Sequence, residues 1–142
     1  MGRVTVMSTA DLQEFLAREF PDIATLGIVV ERVDDSSITL RLPQESAMIR
    51  PGGTISGPTM FSLADVAVWL LILAQIGPVA LAVTTSVGMN FFRKPPPGDL
   101  VAEGELLKLG QRLAVGHVRL HAVGSRELVA DASITYSIPP RG

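Results

Sequence analysis

The stretch that most constrains this chain is residues 50–76, a glycine-rich loop that runs on into a long apolar segment holding one charge, Asp65. The length of the apolar segment favours helix over strand, and residues 58–76 are predicted as one helix. Gly57-Pro58 is a good start signal, since a proline in the first turn has no N–H to leave unpaired, and Ser56 or Gly57 would serve as N-cap. Gly77-Pro78 ends the run. Apolar residues cover every side, so the helix should be buried nearly all round. A carboxylate two turns into such a helix costs free energy unless it is paired, hydrogen-bonded or used in chemistry.

The flanking segments show how that helix is covered. Residues 8–20 read as an amphipathic helix opened by a Ser8/Asp11 capping box and stopped by Pro21-Asp22. Leu12, Phe15, Leu16 and Phe20 share its apolar stripe, and core packing is the expected role of both phenylalanines. Residues 27–42 alternate as a hairpin about Asp34-Asp35-Ser36-Ser37, an acidic turn rather than a metal pair. Residues 80–138 hold the remaining strands, in runs over 80–92, 99–109, 112–123 and 127–138, broken by the prolines at 95–97 and by Gly110 and Gly124-Ser125. In the last run Leu128, Ala130, Ala132, Ile134, Tyr136 and Ile138 share a face. Helix, hairpin, buried helix and further strands make an α+β chain, one helix wrapped by one antiparallel sheet of five or six strands.

Composition narrows the function classes. At 142 residues, 1–142 is read as one domain with room for a full core. Twelve basic against 14 acidic residues give no electrostatic reason to expect nucleic acid. The absence of cysteine excludes disulfides and thiolate metal sites and fits a reducing cytoplasm. The longest uninterrupted apolar run, Val66 to Ala74, falls short of the roughly 20 residues that span a bilayer, so no membrane is expected. Few charges and a high apolar fraction fit either some surface buried in an oligomer or an unusually large core.

Two places are candidates for chemistry. Asp65 is the first. The helix start at Ser56-Gly57-Pro58 is the second, because free N–H groups and the positive dipole end suit an oxyanion or a polarised carbonyl. They lie about 12 Å apart along one helix at ~1.5 Å per residue. One substrate atom cannot meet both within a chain, whereas two antiparallel helices in a two-fold dimer would bring them together. His117 and His121 lie about 13 Å apart on one strand face at ~3.3 Å per residue, too far to share a metal. With no P-loop, dinucleotide or zinc motif, no cofactor is expected.

These residues resemble the PaaI-like branch of the hotdog-fold acyl-CoA thioesterases. That branch carries N-x-x-G-x-x-H-G-G-x-x-x-x-L-x-D-x-A, which in register falls on Arg50, Gly53, Ser56, Gly57, Pro58, Leu63, Asp65 and Ala67. Residues 84–93, followed by Pro97-Gly98-Asp99, are similar to the family's next strand. The resemblance implies a helix wrapped in a sheet, a dimer whose sheets join edge to edge, often a tetramer, and hydrolysis of an acyl-CoA without metal or redox cofactor. It implies that Asp65 is nucleophile or general base, that the Gly57 N–H polarises the thioester carbonyl, and that Thr84 helps position the attacking water. Arg50 stands where the family has Asn, Ser56 where it has His, and Pro58 where it has Gly. The Arg50 guanidinium has two partners to choose from, the carbonyl and Asp65, and carbonyl contact is the expectation. Met60, Phe61, Trp69 and Phe91 are candidate acyl-pocket residues, and Arg93 and Lys94 candidate phosphate contacts. The alternatives are a non-catalytic acyl-CoA-binding protein and a hydratase-like enzyme, the latter resembling family sites that pair Asp with His.

Overall fold

The computed structural model describes residues 5–46, 49–50 and 54–140, with only the backbone described at 46, 49 and 50. Helix α1 (Thr9–Glu19) opens with the expected capping box, Ser8 and Asp11 each bonding the other's backbone N–H. Pro21 does more than stop it. It begins a short second helix, α2 (Pro21–Ala24), and Phe20, the residue before the proline, is pushed out of helical geometry (φ −138°, ψ 62°). Strands β1 (Val29–Val33) and β2 (Ser37–Leu42) form the hairpin. Asp34 closes its turn, its Oδ1 accepting from the Ser36 and Ser37 amides and the Ser37 hydroxyl. A small hairpin, β3 (Ile49–Arg50) with β4 (Thr54–Ile55), leads into α3 (Gly57–Ile76). Four long strands follow: β5 (Val83–Phe91), β6 (Leu100–Leu109), β7 (Leu113–Ala122) and β8 (Leu128–Ser137).

The main sheet is antiparallel with the order β1-β2-β6-β7-β8-β5, and α3 packs across one of its faces. Alternation along β7 and β8 turns Ala114, Val118, Leu120, Ala132 and Ile134 onto the helix. Two glycines permit close packing, Gly116 against the helix and Gly104 against its cross-strand neighbour on β2. A Cβ on Gly116 would stand 2.9 Å from a Val68 methyl, and one on Gly104 would stand 3.1 Å from an Ile38 methyl. By length and a mean hydropathy of 1.8, α3 passes for a membrane-crossing helix, but 78 % of that window is buried inside the chain's own fold.

Burial of α3 is not uniform. Pro58, Phe61, Ser62 and Asp65 follow the i, i+3, i+4, i+7 spacing of one helix stripe, and that stripe is left at least partly open. The edges of the sheet also differ. At β1 the Gln13 side chain acts as a surrogate strand, donating to the Ile28 carbonyl at 2.7 Å and accepting from the Val30 N–H at 2.9 Å. At β5 no strand among the described residues pairs with the outer edge, and Val83, Phe91 and Phe92 are about half exposed.

Candidate functional site

Asp65 sits where the open stripe of α3 meets β5 and β8. Thr84 and Tyr136 are direct cross-strand partners, and both reach the same carboxylate oxygen. The Thr84 hydroxyl donates to Asp65 Oδ1 at 2.7 Å, and the Tyr136 hydroxyl donates to it at 3.0 Å. A register shift between Thr84 and Ser86 lies beside this contact, the kind of irregularity that re-aims a side chain. Tyr136 is buried, and burial first, then the Asp65 charge, push its phenol pKa well above the ordinary range. It therefore stays a neutral O–H donor. With Oδ1 saturated, Oδ2 is the oxygen left to work in the cavity that Asp65 lines.

That cavity measures about 440 Å³, with Asp65, Thr84 and Tyr136 at its polar end. Trp69, one turn beyond Asp65 on α3, lines it as an apolar wall. Phe20 lines it too, which corrects the expectation of core packing. Phe15 is buried against Trp69 (centroids 5.8 Å apart), but Phe20 is 41 % exposed and meets Trp69 edge-on at 6.1 Å. The helical stripe misplaced it because Pro21 removes residue 20 from helical geometry.

The second candidate place is the start of α3. Ser56 is the N-cap, its buried hydroxyl accepting from the Thr59 N–H at 3.3 Å and bonded to the Thr59 hydroxyl at 2.9 Å. Pro58 has no N–H, so Gly57 carries the N–H of the first turn that no side-chain cap engages. A separate cleft of about 340 Å³ collects Gly57, Met60, Phe91, Arg93 and Lys94. Met60 and Phe91 thus stand beside Gly57 rather than Asp65, and Phe61, 41 % exposed, lines neither cavity. Arg93 is partly engaged within the chain, donating to the Leu128 carbonyl at 2.8 Å and pairing with Glu127 at 3.3 Å. The Arg50 backbone pairs with Thr54, and its side chain lies outside the described residues.

Comparison with known proteins fits this geometry. Residues 52–129, which include Gly57, Asp65 and Thr84, match the model of the thioesterase superfamily (4HBT). The chain belongs to that superfamily. A crystal structure from Silicibacter sp. TM1040, described as a candidate thioesterase, is 44 % identical, with a TM-score of 0.91 over 99 % of this chain and 97 % of that one. The thioesterase HI1161 from Haemophilus influenzae shares the fold at 18 % identity (TM-score 0.84, 98 % and 95 % covered). A curated relative, a candidate esterase of Halobacterium salinarum, is 24 % identical over 68 % of this chain, and the match spans 66 % of that protein's length. Family and relatives together support a thioester hydrolase, on the hotdog architecture that the sheet and α3 form.

Within this superfamily member, neither histidine lines the Asp65 cavity. Both project from the outer face of the sheet, where His117 Nε2 lies 3.1 Å from Asp131 and His121 Nε2 lies 2.9 Å from Glu103. Tyr136 was missed as a site residue, although a signal existed. It is the polar-tipped residue on the inward face of β8, and a buried phenol needs a partner.

Proposed function

We propose that this chain is an acyl-CoA thioesterase of the PaaI-like branch, a cytoplasmic homodimer or homotetramer. One observation carries the reading: the two halves of the site sit at opposite ends of an uncovered edge strand. Thr84, bonded to Asp65, is at one end of β5. Phe91, whose ring lies 3.8 Å from where a Gly57 Cβ would be, is at the other. The span is about 23 Å at ~3.3 Å per residue. Antiparallel pairing of β5 with its own copy reverses one strand against the other, so each Asp65 cavity meets the Gly57 cleft of the second subunit. The β1 edge, occupied by Gln13, offers no such template.

The chemistry follows from the groups. Asp65 Oδ2 takes a proton from water as the water oxygen attacks the thioester carbon. The Gly57 N–H of the other subunit, at a positive helix end, stabilises the developing oxyanion. Arg50 adds charge to the same oxygen. The tetrahedral intermediate collapses, the C–S bond breaks, and the thiolate takes the proton from Asp65, leaving a carboxylic acid and CoA. Lys94 and Arg93 lie beside the Gly57 cleft to meet the CoA phosphates, so substrate binding weakens with salt. The absence of histidine among the residues lining the Asp65 cavity disfavours the hydratase-like alternative.

The test is thiol release from short, medium and aryl acyl-CoA substrates. Asp65→Asn should lower kcat by at least ~10²-fold, and a binding-only protein would show no turnover in either form. Mixed dimers of Asp65→Asn and Gly57→Pro subunits should recover activity, since one of the two sites is then intact. Absence of recovery would count against a shared site.

A further inference from the structure

We propose that the α1–α2 joint selects the acyl group through Phe20 and Glu19, admitting neutral apolar groups of medium size and turning away those that end in a carboxylate. The proposal rests on the thioesterase reading of the Asp65 cavity. Both residues line that cavity, and both lie outside residues 52–129, the part that matches the superfamily. The selecting wall is therefore supplied by this chain's own N-terminal segment.

Size comes first. At about 30 Å³ per water-sized group, 440 Å³ holds on the order of ten to fifteen non-hydrogen atoms. The polar end, with Asp65, Thr84 and Tyr136, must take the thioester. The acyl group then runs along the ring of Trp69, which Phe20 meets at a near-perpendicular 84°. The pre-proline backbone of Phe20 sets where its side chain starts, and contact with Trp69 places the ring at the wall of the cavity.

Charge comes second. The cavity is lined by two carboxylates, Asp65 and Glu19, and among the described residues by no lysine, arginine or histidine. Arg18 relieves this only in part. Its Nε lies 3.5 Å from Glu19, but another guanidinium nitrogen lies 3.5 Å from Glu14 and the group rests over the Phe15 ring, outside the cavity. An acyl group with a terminal carboxylate brings a further negative charge toward Glu19. At a separation of about 6 Å and an effective dielectric between 20 and 80, an unpaired Glu19 would weaken binding by roughly threefold to a hundredfold, and the Arg18 pair holds the effect to the lower part of that range.

The protein carries its own probe, because Trp69 is the sole tryptophan in the chain and lines the cavity. Its fluorescence is titrated with non-hydrolysable thioethers: S-hexyl-, S-decyl- and S-hexadecyl-CoA, and S-(5-carboxypentyl)-CoA. Affinity should rise from hexyl to decyl and gain nothing further at hexadecyl. The carboxylated analogue should bind about tenfold more weakly than S-hexyl-CoA, and Glu19→Gln should close most of that gap. Phe20→Ala should let hexadecyl exceed decyl, while Phe20→Leu should keep the wild-type limit. A length limit unmoved by Phe20→Ala, equal binding of the carboxylated analogue, or no binding of any thioether would each overturn the proposal. Hydrolysis of the matching thioesters is measured in parallel. Selective binding without hydrolysis would refute the thioesterase reading alone, and hydrolysis without this selectivity would refute the inference alone.

Discussion

Removing the Tyr136 hydroxyl tests how the candidate site is built. In Tyr136→Phe the ring still fills its place between β5 and α3, and the 3.0 Å bond to Asp65 Oδ1 is lost. A hydrogen bond to a charged acceptor contributes about 1.5–3 kcal/mol, and each 1.4 kcal/mol of lost transition-state stabilisation is tenfold in rate. Thr84 still holds the same oxygen at 2.7 Å, so the single change should reach only the lower part of that range, about tenfold in kcat. KM should move little, since neither hydroxyl is needed to fill the apolar end of the cavity. Thr84→Val should behave alike and Thr84→Ser should stay near wild type. The double variant Tyr136→Phe/Thr84→Val should lose more than the product of the singles, because each hydroxyl supports the orientation that the other also sets, with a coupling of about 1 kcal/mol. The assay is steady-state thiol release, with thermal melts to confirm that all forms fold. A kcat for Tyr136→Phe within twofold of wild type, or losses that simply multiply, would refute the idea that the two hydroxyls jointly orient Asp65.

Four further outcomes are expected. Gly88→Asp has open space around its new Cβ and sets two carboxylates near the centre of a β5–β5 pair. It should give a folded monomer without activity, and an active dimer by light scattering would oppose pairing through β5. Gly116→Ala forces a methyl to within 2.9 Å of Val68 and should destabilise by about 1–3 kcal/mol in urea unfolding. Arg50→Ala should lose turnover if the guanidinium meets the thioester carbonyl, whereas a gain in Arg50→Asn would reassign it to Asp65. The Gln44 N–H and then the Arg41 side chain hold the Asp99 carboxyl below the usual range. Its folded pKa being depressed, the contribution to stability is full above the unfolded value near 4 and fades as pH falls through the folded value. Asp99→Asn should therefore melt lower than wild type at pH 7, with the difference closing in acid.

The sequence alone determined the main elements and their order, though not α2 or the β3–β4 hairpin. Ser8 with Asp11, Gly57-Pro58 and the alternation along residues 112–138 are local signals, written in neighbouring residues, and the structure follows them closely. The separation of Gly57 from Asp65 along one helix was also legible, since helix rise is constant. Long-range register was not. That Thr84 lies opposite Tyr136, and that both hydroxyls converge on one oxygen of Asp65, depends on how β5 pairs with β8 across about fifty residues of intervening chain. The place of Phe20 shows the same limit from the other side. Periodicity assigned it to the core, but a proline one residue later turned its backbone, and only the packing of α1 against α3 decided that its ring would face the cavity. The unequal edges of the sheet are likewise a tertiary fact. Gln13 reads as an ordinary polar helix residue until the fold brings it to the backbone of β1, leaving β5 as the edge free to pair. Local sequence sets which conformations are cheap, while the meeting of distant side chains is fixed only when the whole sheet closes over the helix.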